Sequence, residues 1–198
     1  MAQHPHAIAG VVLAAGAGSR FGGPKALARD AGGEAWIALA VEVLRDGGCA
    51  PVVVTLGASA DHAQALVPAN AEPVRVEAWT RGLSASVAAG LDAAAAHGVD
   101  AVVVMPVDTP DAAASAVRRV IAAAGPRPRR ALVQATYARR PGHPVLIGVD
   151  HVRPLIAALE GDRGARDYLR ANGAVALECE DLWSGADIDT RSELGSGG

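Results

Sequence analysis

Aromatic side chains make up only 3% of the 198 residues, so the chain has few flat platforms on which successive bases could stack. Basic residues are not in excess either: 18 Lys and Arg face 21 Asp and Glu, for a net charge of −3. A protein that neutralises a phosphate backbone needs the opposite balance, and nucleic acid is not an expected partner. Cysteine is nearly absent. Cys49 and Cys179 have no metal-like spacing, and the opening Met1 to His6 lacks the basic and apolar regions of an export leader. These features imply reduced thiols and a cytoplasmic location. Apolar runs are also short, Ala101 to Met105 being typical of the longest. None approaches the roughly 18 to 20 residues of a membrane span, so no membrane association is expected.

What is present is a chain that is 51% hydrophobic and 20% charged, which is globular in character and long enough for one domain over 1–194. The closing 195–198 reads as a flexible Gly/Ser tail. Short β-branched runs alternate with Ala-rich stretches. Strands are expected at Ile8 to Leu13, Val52 to Leu56, Val74 to Glu77, Ala101 to Met105, Ala131 to Gln134 and Val145 to Ile147. Helices are expected at Glu34 to Arg45, Asp61 to Val67, Ser84 to Ala96, Asp111 to Ala123, Val152 to Leu159 and Ala165 to Ala171. Strands that are almost wholly apolar are buried on both faces, the mark of a mostly parallel sheet wrapped by helices. The fold class is therefore α/β, single-domain and doubly wound, and binding residues should follow the carboxyl ends of the strands. Thr109 is placed to cap a helix with Pro110 at its first position, and Ser84 to cap another.

The segment after the first strand runs Leu13, Ala14, Ala15, Gly16, Ala17, Gly18, Ser19, Arg20, Phe21, Gly22, Gly23, Pro24, Lys25. Small residues let backbone N–H groups turn toward a triphosphate, and Arg20 and Lys25 bring two cations to the same anion. It is neither of two common phosphate cradles. Lys25 is followed by Ala26 where a P-loop needs Ser or Thr, and Gly16, Gly18 and Gly22 do not have the dinucleotide spacing. Farther on, Gly82, Ser84 and Ser86 open a helix whose free N–H groups and hydroxyls can face a nucleotide, capping being the alternative role for both serines. Asp108, just past the strand Ala101 to Met105, sits where a carboxylate can hold a hard divalent cation.

The run Leu13 to Lys25 resembles the nucleotidyltransferase signature Leu-Ala-Ala/Gly-Gly-x-Gly-x-Arg-(Phe/Met)-Gly-x-x-Lys. Trp79 to Leu91, then Gly142 to Val145, then Gly161 to Arg166, then Ala186 to Leu194 are similar to further motifs of the same group, in the same order. Together they resemble the MobA-like NTP transferases, in particular the molybdenum cofactor cytidylyltransferase-like branch. Thr109 and Ser192 depart from the pattern, which usually has Met or His, and an acid, at those positions.

The resemblance implies transfer of a nucleoside monophosphate from an NTP to a small phosphorylated acceptor, of molybdopterin type, with pyrophosphate released. It implies Mg2+ as cofactor and a molybdoenzyme or its maturation factor as protein partner. Arg20 would stabilise the α-phosphoryl transition state, and Lys25 would hold phosphate and acceptor. His143, Asp162 and Arg166 would bind the acceptor. Asp187 would complete the metal site with Asp108, with Asp189 as its rival. Ala15, where guanylyl-transferring relatives carry Gly, points to CTP, with GTP second. The alternatives are a guanylyltransferase, another cofactor or sugar-phosphate nucleotidyltransferase, and a nucleotide- or cofactor-binding chaperone without turnover.

Overall fold

The computed structural model describes residues 6–161, 164–190 and 193. In chain order the elements are β1 (Ile8–Ala14), α1 (Trp36–Asp46), β2 (Val52–Leu56), a single turn α2 (Ala60–Ala63), β3 (Glu72–Arg75), α3 (Leu83–Ala96) and β4 (Ala101–Pro106). Then come α4 (Ala114–Ala123), the hairpin β5 (Leu132–Tyr137) and β6 (Arg140–Gly148), α5 (Val149–Ala158), α6 (Arg166–Ala171) and β7 (Val175–Glu178). The seven strands form one sheet in the order β3-β2-β1-β4-β6-β5-β7. All pairings are parallel except those of β6 with β4 and β5. The chain is an α/β single domain on a mixed, mostly parallel sheet.

Side chains on a strand alternate between faces, and the central strands are apolar on both. Val12, Val103 and Met105 join Trp36, Ile37 and Leu44 of α1 and Val117 and Val120 of α4 in one core. Val11, Val102 and Val104 join Val87 and Leu91 of α3, Leu155 of α5 and Leu169 of α6 in the other. The helices thus form two layers, and the sheet between them is dry. Gly90 is where α3 approaches β1 most closely: a Cβ there would stand 2.6 Å from Val11 Cγ1 and 3.0 Å from Thr55 Cγ2. Gly90→Ala should therefore destabilise by about 1–3 kcal/mol despite the better helix propensity of Ala. Calorimetry checks this as a fall in Tm, at roughly 2–4 °C per kcal/mol for a domain of this size.

Several local expectations are corrected. Thr109 and Pro110 do not start a helix; the Thr109 hydroxyl donates to the Pro106 carbonyl at 3.1 Å, closing a turn, and α4 begins only after Ala113. Ser84 lies inside α3, whose N-terminal position is Gly82 at φ 100°, a left-handed conformation natural only to glycine. The expected helix Asp61 to Val67 is one α-turn followed by a 3-10 turn over Gln64–Leu66. β6 reaches back to Arg140, and β7 was not anticipated. Among the described residues no helix is long and apolar enough to cross a membrane. The expected tail 195–198 lies outside the described residues, as do Met1 to Pro5.

Candidate active site

β1 and β4 are hydrogen-bonded neighbours, and the segments leaving their carboxyl ends diverge over a cleft. The loop from Ala15 to Lys25 wraps it. Its path depends on Gly18, at φ 61°, where any Cβ would run into the Gly23 carbonyl that closes against it, and the Gly23 N–H donates to Gly18 O at 3.1 Å. Phe21, buried, packs its ring on Trp36 of α1 with centroids 5.3 Å apart and pins the loop to the core. The cavity so formed has a volume of about 450 Å³. Leu13, Ala14, Ala15, Gly16, Gly18 and Lys25 from the first loop line it, together with Gly82, Ser86, Asp108 and His143. Ser84 is not in the wall; its N–H donates to Gly161 O at 3.0 Å. Trp79 and Thr80 do line it. The sequence singled out neither, although both stand in the motif that contains Gly82.

The charged centre joins distant parts of the chain. Lys25 Nζ donates to Asp108 Oδ2 at 2.8 Å and to Asp189 Oδ1 at 3.0 Å, and Arg20 donates to Asp189 Oδ2 at 2.7 Å. Asp189 arrives on the C-terminal segment, which folds back over the sheet edge: the Ile188 N–H donates to the Asp108 carbonyl at 2.9 Å. Glu193 accepts from the N–H groups of Asp189 and Thr190 and fixes the turn. Asp108, Asp187 and Asp189 each bring a carboxylate oxygen within 4.8 Å of the others. The structure therefore gathers both rivals for the second acid at Asp108. Three hard oxygen donors at this spacing fit a small divalent cation such as Mg2+, which takes one or two carboxylates and retains water.

Burial alone would depress the Lys25 ammonium, but its hydrogen bonds to Asp108 and Asp189 outweigh that and hold its pKa above the ordinary lysine value. The same bond from Lys25 holds the Asp189 carboxyl below the usual range. For His143 the order is reversed: burial lowers its pKa more than the charges of Asp108 and Asp187 raise it, so the ring is neutral at neutral pH. Its backbone is held by the Tyr137 hydroxyl, which donates to His143 O at 2.7 Å. Burial raises the Tyr137 pKa and keeps that donor protonated.

A second cavity, of about 520 Å³, adjoins the first and shares Leu13, Leu83, Pro106, Asp108 and His143 with it. Arg166 and Asp187 line it. Asp162 lies outside the described residues. Arg20, with its side chain 78% exposed, lines neither cavity and stands at the rim.

Known proteins match this arrangement along most of its length. Residues 10–176 match the family profile described as MobA-like NTP transferase domain. Nicotine blue oxidoreductase of Paenarthrobacter nicotinovorans is 37% identical over 201 aligned positions, covering 94% of each chain. Among solved structures, the Mycobacterium tuberculosis protein Rv0371c is similar with a TM-score of 0.78 at 27% identity, over 98% of this chain and 100% of that one. A complex of Rv0371c with manganese is similar with a TM-score of 0.67 at 27% identity, over 87% of each.

Proposed function

The chain belongs to the MobA-like NTP transferase family, and on that premise we propose that it transfers CMP from a magnesium-bound CTP to the phosphate of a small acceptor of molybdopterin type, releasing pyrophosphate. The carrying observation is the pair of adjoining cavities that meet at Asp108 and His143, with Lys25 at the junction. One cavity takes the nucleotide and the other the acceptor, so the acceptor phosphate and the α-phosphorus meet beside Lys25. The loop N–H groups and the α3 N-terminus orient the triphosphate. Lys25 and Arg20 neutralise charge that grows on the α-phosphoryl oxygens, and Arg166 offers a cation to the acceptor. Asp108, with Asp187 or Asp189, would hold Mg2+, which supplies further charge neutralisation on the triphosphate. No covalent enzyme intermediate is needed; positioning and electrostatics carry the reaction.

The proposed transferase domain spans 1–194, acts in the cytoplasm, and hands its product to a molybdoenzyme or its maturation factor. Ala15 in the cavity wall favours the cytidylyl reaction over the guanylyl one, although one methyl group discriminates by only about 1–3 kcal/mol. A thermal-shift panel of CTP, GTP, ATP and UTP with magnesium tests the base: a nucleotide at 100 times its Kd stabilises by about 2.7 kcal/mol, and CTP is expected to give the largest shift. An equal or reversed CTP and GTP ranking moves the reaction to guanylyl transfer.

A second reading rests on the 37% identity to an enzyme named as an oxidoreductase. The same cradle would then hold the phosphates of a nucleotide-bearing redox cofactor. Reduced nicotinamide nucleotides and FMN belong in the same panel, and stabilisation by one of these with none by any NTP decides for this reading.

A further inference from the structure

The second cavity is floored by a row across three strands: Val104 of β4 stands opposite Val145 of β6, and Val145 opposite Gln134 of β5. Two members of the row are aliphatic, and Val87, Ile147 and Leu169 extend the apolar lining. Gln134 is the exception. Its neighbours Val133 and Ala135 are buried in the opposite core, so Gln134 turns to the cavity side, where it is half-buried. A ligand that covered this carboxamide without making its hydrogen bonds would lose about 1–3 kcal/mol.

Among the described residues only one of them is made. Gln134 Nε2 donates to the Gly142 carbonyl at 3.3 Å. A carbonyl only accepts, so this bond decides which end of the amide is which. It leaves Oε1 and the second Nε2 hydrogen for another partner. The β5–β6 register shifts between Gln134 and Thr136, and such bulges re-aim side chains beside binding sites. Nothing in phosphoryl transfer uses this amide.

We propose that Gln134 is a specificity residue for the acceptor, reading a planar ring that carries an N–H beside a C=O. Oε1 accepts from the ring N–H and Nε2 donates to the ring carbonyl, while the aliphatic floor covers the ring face. A sugar phosphate has no such edge and would leave the amide unpaired over an apolar floor. The inference rests on the assignment of the second cavity to the acceptor.

The probe is lumiflavin, an uncharged fluorescent ring with a single imide N–H, set against its analogue methylated on that nitrogen. The wild-type protein should bind lumiflavin at least about tenfold more tightly, the worth of one to two hydrogen bonds, as read by fluorescence titration. Gln134→Met, similar in size and apolar, should bind the two equally while keeping its thermal shift with CTP and magnesium. Absence of discrimination by the wild type, absence of binding of either ring, or discrimination retained in Gln134→Met overturns the proposal. The CTP shift of the wild type is read separately, so its loss strikes the NTP-transfer reading without deciding the ring titration.

Discussion

Asp108→Asn is expected to keep the fold and to lower nucleotidyl transfer about a thousandfold. The substitution keeps the side-chain shape, and the main-chain carbonyl that accepts from Ile188 is untouched, so the C-terminal segment stays anchored. What is lost is a hard anionic oxygen at the point where the two cavities meet. An NTP brings about four negative charges, more than Lys25 and Arg20 can balance, and a divalent ion must share them. In the proposed mechanism its main protein ligand would be Asp108, two residues past the buried strand β4. Asp187→Asn should cost less, about tenfold, because Asp187 is exposed and Asp189 stands within reach of the same point. The check is a transfer assay on both variants beside wild type across a magnesium titration. Full activity in Asp108→Asn, or wild-type turnover indifferent to EDTA, sinks the metal-dependent mechanism; no transfer by wild type at any magnesium concentration leaves a binding protein without turnover.

Lys25→Ala should lower turnover at least about a hundredfold, and it carries a signature that a general loss of structure does not. The Lys25 ammonium bridges Asp108 and Asp189 with its side chain only 14% exposed. Removing it leaves three carboxylates within 4.8 Å of one another with less positive charge among them, so manganese binding by the variant should be at least as tight as in wild type while kcat falls. Titration of Mn2+ by electron paramagnetic resonance beside the transfer assay separates the two effects. Weakened metal binding together with unchanged kcat contradicts the assignment. Arg20→Ala should also lower turnover about a hundredfold, yet its ion pair with Asp189 is at the surface, and stability should change by under about 1 kcal/mol.

Most of the sheet was legible because buried parallel strands are written as uninterrupted β-branched runs, and β1, β2 and β4 stand within one residue of their expected ends. β7 was not legible. Val-Ala-Leu-Glu is short and mostly exposed, and only its pairing with β5 makes it a strand. The start of β6 was missed for a similar reason: Arg140 and Pro141 carry no strand signal and are ordered by the hairpin with β5. Thr109 and Pro110 have the signature of a helix start, but the hydroxyl finds the Pro106 carbonyl first. At the site, the glycine loop was readable because Gly18, Gly22 and Gly23 take positive φ there, and Asp108 because it follows a buried apolar strand. The gathering of both Asp187 and Asp189 at Asp108 was not, since it depends on contacts between distant parts of the chain, Lys25 lying 164 residues away from Asp189. Gln134 escaped notice because a single amide in an apolar run has no motif around it.

The reversed direction of β6 has a consequence for how such a protein can change its chemistry. Because β6 runs against β4, its opening residues, not its last, lie at the carboxyl edge, and they bring His143 to the junction of the two cavities. Apart from His143, everything lining the first cavity comes from residues up to Asp108, whereas the second adds Gln134, Arg166 and Asp187 of the later chain to residues from the earlier one. On the proposed assignment the nucleotide would be held mainly by the first stretch of the polypeptide, and the later stretch would supply what distinguishes the acceptor. A chimera that keeps residues 1–131 and takes its remaining residues from another member of the family should accept a new co-substrate while its preference among bases stays as it was.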